Sequence, residues 1–168
     1  VTSANQEFNA RRLERFLAVA WESGAVPVLV LSKADLCDDL AEWRARAEAA
    51  APGLAVHVVS ALHGVGTGDL EAYCRPGRTV VMLGSSGVGK STLANHLAGR
   101  DVLAVTAIRE DDARGRHTTS HRQLLPLRQG GMIIDTPGLR EVGLWLADQG
   151  MGETFADIEA LASECRFR

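Results

Sequence analysis

Apolar residues recur along this chain with two different periods, and the alternation between them sets the expected architecture. Leu13, Phe16, Leu17, Ala20 and Trp21 fall at helical spacing and stop before Gly24, which predicts an amphipathic helix with a glycine stop. Val26 to Leu31 is a short apolar run, as a strand buried on both faces requires. Asp38 to Ala51 reads as a helix ended by Pro52-Gly53, and Ala55 to Val59 as a second buried strand. Gly64 to Gly68 is expected to be a flexible turn, with a short helix from Asp69 to Cys74. Arg78 to Leu83 is a third strand that runs into a glycine loop and a helix from Lys90 to about Leu97. Arg109 to His121 is polar and aperiodic, so a mobile loop is expected there. Gln123 to Leu127 and Met132 to Asp135 are strands around the Gly130-Gly131 turn, and Glu153 to Ala162 is a closing helix. Strands that alternate with helices predict an α/β fold: a mostly parallel sheet with helices on both faces, in three layers.

Bulk properties narrow the picture only slightly. A chain of 168 residues suits a single core. The 18 basic and 21 acidic side chains nearly balance, so nothing marks the whole surface as a binder of nucleic acid or membrane. No apolar run approaches a membrane span and no charged-then-apolar leader opens the chain. The first residue is Val1 rather than Met, as expected of a domain excised from a longer protein. Cys37, Cys74 and Cys165 are far apart, and no Cys-x-x-Cys pair occurs. A reduced, cytoplasmic protein is expected, with neither a disulfide framework nor a complete zinc site.

The glycine loop carries the sharpest chemistry. Gly84-Ser85-Ser86-Gly87-Val88-Gly89-Lys90-Ser91 fits GxxxxGK[ST], between a strand and a helix. Glycines let backbone N–H groups turn inward around phosphate oxygens, Lys90 can reach the β- and γ-phosphates, and Ser91 offers a hydroxyl to Mg²⁺. Thr92 follows in the same turn. Asp135-Thr136-Pro137-Gly138 matches DxxG at the end of an apolar strand; Asp135 would hold Mg²⁺ and the Gly138 N–H would sense the γ-phosphate. Ser32-Lys33-Ala34-Asp35 resembles the [NT]KxD element that reads guanine, whose N1–H and 2-amino donors pair with the Asp carboxylate. Lys33 would lay its stem across the base. Ser60-Ala61 resembles the SA loop whose backbone N–H faces guanine O6. In an ordinary GTPase both base elements follow DxxG, whereas here they precede the phosphate loop. A circular permutation leaves every strand end on the same sheet edge, where such sites lie.

That permuted order, together with Gly84 to Thr92 and Gly115-Arg116-His117-Thr118-Thr119, resembles the ribosome small-subunit-dependent GTPase A family (RsgA). Asn9 to Phe16, the SA loop and the segment from Asp135 to Glu141 add to the resemblance, which covers almost the whole chain. It implies a P-loop NTPase fold with a circularly permuted G domain, expected over residues 1–152. Residues 153–168 would be the closing helix and a truncated entry to a zinc domain, with Cys165 as a lone remaining ligand. Zinc is therefore expected only in a full-length protein. The implied activity is GTP hydrolysis to GDP in late maturation of the small ribosomal subunit, with Mg²⁺ as cofactor. The subunit and its rRNA are the implied partners of a monomer that does not enter membranes. A nucleotide-gated rRNA-binding module with incidental hydrolysis is the alternative.

Three positions depart from common GTPase patterns. Ser32 stands where Asn is usual and is too short to contact both guanine and the phosphate loop, so weaker nucleotide affinity is expected, with guanine preference kept by Asp35. Leu62 follows the SA pair where Lys is common. Leu139 occupies the place where many GTPases carry the Gln that orients water, and it cannot hydrogen-bond water. His117 is the candidate for that task, beside Thr118 and Thr119, one of which would ligate Mg²⁺. Arg109, Arg114, Arg116, His121 and Arg122 could meet rRNA phosphates or form an ordinary solvated loop.

Overall fold

A computed structural model of the chain describes residues 1–5, 8–103, 122–136 and 148–164. Strand β1 (Thr2–Ser3) is followed by helix α1 (Ala10–Glu22), β2 (Leu29–Ser32), helix α2 (Leu40–Ala50) and β3 (Val56–Val58). Then come β4 (Thr79–Val81), α3 (Lys90–Ala98), β5 (Gln123–Pro126), β6 (Met132–Asp135), α4 (Asp148–Thr154) and α5 (Ala156–Ser163). A single 3₁₀ turn occupies Ala34–Leu36, and a short 3₁₀ helix Gly68–Tyr73, where a short helix was expected from Asp69 to Cys74.

The strands form two three-stranded sheets, in the orders β1-β2-β3 and β4-β6-β5. All pairings are parallel except β5 with β6. The two sheets meet where the Val1 nitrogen donates to Leu83 O at 2.6 Å. Opposite faces of β2 define the layers. Leu29 packs with Leu13 and Leu17 of α1 and with Ala47 of α2, whereas Val30 packs with Leu93, Ala94 and Leu97 of α3 and with Ile133 of β6. Alternating side chains point to opposite faces of a strand, so α1 and α2 cover one face and α3 the other.

Local chemistry explains the helix boundaries. The Asn9 carboxamide caps α1 by accepting from Arg12 N at 2.9 Å, and Asp39 caps α2 by accepting from Glu42 N at 3.0 Å. Helix α1 ends at Ser23 and Gly24, as its pattern predicts.

Several expectations need correction. Val26 is 83 % exposed and the strand begins only at Leu29, because Pro27 has no N–H to give a ladder. Strand β3 lies at a sheet edge and is half-buried rather than covered on both faces. The two-residue β1, which pairs with Leu31 and Ser32, was not expected at all. The single closing helix is two helices. Phe155 N donates to Met151 O and ends α4, while Phe155 O accepts from Ile158 N and Glu159 N and starts α5. Helix α4 packs against α1.

Candidate nucleotide site

The carboxyl ends of β2, β3, β4 and β6 carry the sequence-identified residues, and the backbone shapes each one. Between β4 and α3 the loop Gly84 to Gly89 curls around the Lys90 side chain. The ammonium donates to Gly84 O at 3.0 Å and to Ser85 O at 2.7 Å, and the residue is only 6 % exposed. Burial pushes Lys90 below the ordinary lysine range, and the Asp135 carboxylate pulls it back up. Asp135, at the end of β6, is fully buried. Gly84 has φ +155°, and a Cβ there would collide with Val1 O, so the turn out of β4 admits no side chain. Ser85 and Val88 are buried and Ser86 and Gly87 exposed, as in a loop with one face in the core and the other toward solvent. Ser91 and Thr92, in the first turn of α3, are half-buried.

On the neighbouring strand ends, Lys33 is the one non-glycine among the described residues with positive φ, +60°. A left-handed residue with a Cβ costs roughly 1–2 kcal/mol. Its carbonyl accepts from Leu36 N at 3.0 Å, closing a tight turn that presents Ala34 and the exposed Asp35. Ala34 N donates to Val59 O at 3.1 Å and so fixes this turn to the end of β3. Asp35 is held below the usual carboxylate range chiefly by the Ser60 hydroxyl, against the opposing effect of burial, with smaller help from its own backbone, His63 and Lys33. Half-buried Ala61 follows Ser60. The structure thus brings the two base elements, separate in sequence, into one corner.

Ser32 joins that corner to the phosphate loop. Its hydroxyl, 3 % exposed, lies 2.5 Å from Val88 O and 2.9 Å from Thr2 O. One proton serves two carbonyls, and the shorter contact goes to the loop. The serine therefore does what its length allows, bridging to the loop.

Two further residues escaped the sequence reading. Thr136 donates to Met82 O at 2.6 Å and ties the chain just past Asp135 to β4. Asn95 accepts from Val102 N and Leu103 N at 3.1 and 2.8 Å and donates to Leu103 O at 2.8 Å, fixing the backbone before residue 104. A threonine inside DxxG is a weak signal for the first; nothing in sequence marks the second. His117, Thr118, Thr119, Gly138, Leu139 and Cys165 lie outside the described residues. No three or more His, Cys, Asp or Glu side chains among the described residues group to hold a metal. Asp135 and Ser91 nevertheless offer the hard oxygen donors that suit Mg²⁺, which takes one or two carboxylates and completes its shell from phosphates and water. The groove lined by His57, Asp69, Glu71, Arg75 and Gln129 contains none of these residues. No helix among the described residues is long and apolar enough to cross a membrane.

The RsgA GTPase family model matches residues 1–145. The chain belongs to the RsgA GTPase family. A small ribosomal subunit biogenesis GTPase RsgA of Streptomyces avermitilis is 56 % identical over 164 residues, which are 96 % of this chain and 44 % of that protein. The crystal structure of YjeQ from Thermotoga maritima has a TM-score of 0.60 at 28 % identity and covers 82 % of this chain and 46 % of its own. The structure of YloQ, a circularly permuted GTPase, has a TM-score of 0.58 at 26 % identity and covers 99 % and 53 %. The chain therefore has the permuted α/β GTPase fold that its motif order predicts. It spans just under half the length of the curated relatives it matches.

Ser32→Ala leaves Val88 O without that donor in a buried setting. The expected cost is about 1–2 kcal/mol, read as a lower midpoint in urea unfolding together with weaker GDP binding. Unchanged GDP affinity would show that the bridge does not shape the site.

Proposed function

We propose that this chain is the GTP-binding and GTP-hydrolysing part of a GTPase that acts on the small ribosomal subunit in its late maturation. The observation that carries the reading is the Ser32–Val88 contact, which holds a guanine-complementary corner beside a lysine-filled phosphate loop. Asp35 is ionised at neutral pH and is an acceptor only, matching guanine N1–H and its 2-amino group. The Ser60-Ala61 backbone would face O6, and Ser32, Lys33 and Ala34 would frame the base. Gly84 to Thr92 would wrap the phosphates, with Gly138 at the γ-phosphate. Lys90 exchanges its carbonyl partners for β- and γ-phosphate oxygens. Ser91, Asp135 and either Thr118 or Thr119 would hold Mg²⁺, which supplies charge neutralisation across those phosphates. His117 would orient the water whose oxygen bonds the γ-phosphorus as the bond to GDP breaks, since Leu139 cannot. On this reading residues 1–152 form the G domain and 153–168 lead toward a zinc domain in a longer protein, with Cys165 as one ligand. The protein would act as a cytoplasmic monomer, with the small subunit and its rRNA as partners. The curated relatives carry that subunit in their names.

Two results are expected. Hydrolysis by the chain alone is slow, and completion of the site by a partner gives roughly 10³–10⁵ in rate where an arginine finger does so. Stimulation by small subunits, lost in His117→Ala with GDP affinity kept, is the expected pattern in a steady-state phosphate-release assay. Fast turnover indifferent to subunits would refute it, and subunit binding without stimulation would favour an RNA-binding module. Separately, Asp35→Asn replaces an acceptor by a donor that suits the 2-oxo group of xanthine. Competition assays should show preference moving from GDP to XDP; retained guanine preference would remove Asp35 from the base site.

A further inference from the structure

The turn after β3 was expected to be flexible, yet it is tied at every stage. Ser60 and Val65 exchange two backbone hydrogen bonds of 3.0 Å. Thr67, 4 % exposed, donates its hydroxyl proton to Gly64 O at 3.0 Å. The same oxygen lies 2.9 Å from His96 Nε2 on α3. A hydroxyl has one proton, and here it goes to Gly64 O, so Nε2 carries the hydrogen in the His96 contact. The imidazole also lies against the backbone of Gly64, where a Cβ would stand 3.2 Å from His96 Cε1. Gly66 cannot carry a side chain, because its Cβ would meet Val58 O. At the other end of the turn, His63 N donates to Ser60 Oγ at 3.4 Å, and Ser60 stands beside the Asp35 turn, since Ala34 N donates to Val59 O at 3.1 Å; the Ser60 hydroxyl helps to hold Asp35 ionised.

We propose that His96 is a positioning residue for base selection, holding the turn from Ser60 to Thr67 through Thr67 and thereby keeping Ser60 in place beside the Asp35 turn. The inference rests on the guanine-reading role proposed for Asp35 and Ser60. Its content is that a side chain two turns along the phosphate helix controls which base is accepted. His96 touches no residue assigned to the nucleotide among its hydrogen-bond partners. It is exposed, and alanine suits a helix interior, so His96→Ala is expected to fold.

The test is the Kd of GDP and of ADP for the wild type, His96→Ala and His96→Gln, by titration calorimetry. ADP uses the phosphate loop but offers nothing that matches the guanine corner. His96→Ala should weaken GDP about fivefold, the value of one ordinary hydrogen bond, and leave ADP unchanged. His96→Gln, whose amide nitrogen can donate as Nε2 does, should restore the GDP value. Equal weakening of both nucleotides, or no change in either, would overturn the proposal. A wild type that binds GDP no better than ADP would overturn the base-reading role itself, and this inference with it; a selective wild type with an unaltered His96→Ala would overturn the inference alone.

Discussion

A lysine ammonium buried to 6 % exposure must find acceptors or lose its charge, and Lys90 takes the carbonyls of Gly84 and Ser85. The rest of the site follows from that requirement. To turn two successive carbonyls onto one cation, the loop must leave β4 along a path that only glycine follows at Gly84. Peptide groups that point their carbonyls inward at Lys90 leave other N–H groups of the loop free to face anions. The fully buried Asp135 favours the charged form of the same lysine, so the two ends of the phosphate machinery stabilise each other across β4 and β6. A phosphate oxygen competes well for an ammonium whose present partners are neutral carbonyls, because a charge-assisted bond is roughly twice as strong as a neutral one.

Permutation costs this arrangement little. Packing and hydrogen bonding depend on where strands lie, not on the order in which the chain visits them. Ser32 stands 56 residues before Val88, yet reaches its carbonyl because the sheet of β1 and β2 meets the chain just past β4, where Val1 N donates to Leu83 O. The seam is narrow, since a two-residue strand and the Val1 nitrogen are what join the two sheets. This also explains why so much rests on Ser32, whose hydroxyl touches β1 and the loop at once.

Contiguous features were legible in the sequence. The phosphate loop and the turn at Lys33 each occupy a few consecutive residues, and the loop's glycine spacing reports its backbone geometry. Helix α1 declared itself by its period and its stop at Gly24, and helix α2 by its end at Pro52-Gly53. Strand β1 was invisible because two residues have no period. Strand β3 looked like an interior strand because Val56, Val58 and Val59 suit either place, and position in a sheet is a long-range property. No glycine or proline lies between Glu153 and Ala162, so local propensity gave one helix where hydrogen bonding makes two.

The same distinction separates the residues that bind from those that hold. Motifs name side chains that face a ligand, since the ligand imposes a local pattern. Asn95, Thr136, Thr67 and His96 act on backbone or side chains far away in sequence and carry no such pattern. A base corner made of two turns is selective only while its turns keep their relative positions, because a donor or acceptor misplaced by a fraction of an ångström loses much of its discrimination. Ser32 fixes the Lys33 turn to the phosphate loop, and the His96–Thr67 pair fixes the Ser60 turn to the helix after that loop. Both tethers end on the phosphate-binding element. On the proposed guanine-reading role, base recognition would be referenced to the phosphates, so that a nucleotide anchored by its phosphate chain would meet a corner already in register with it.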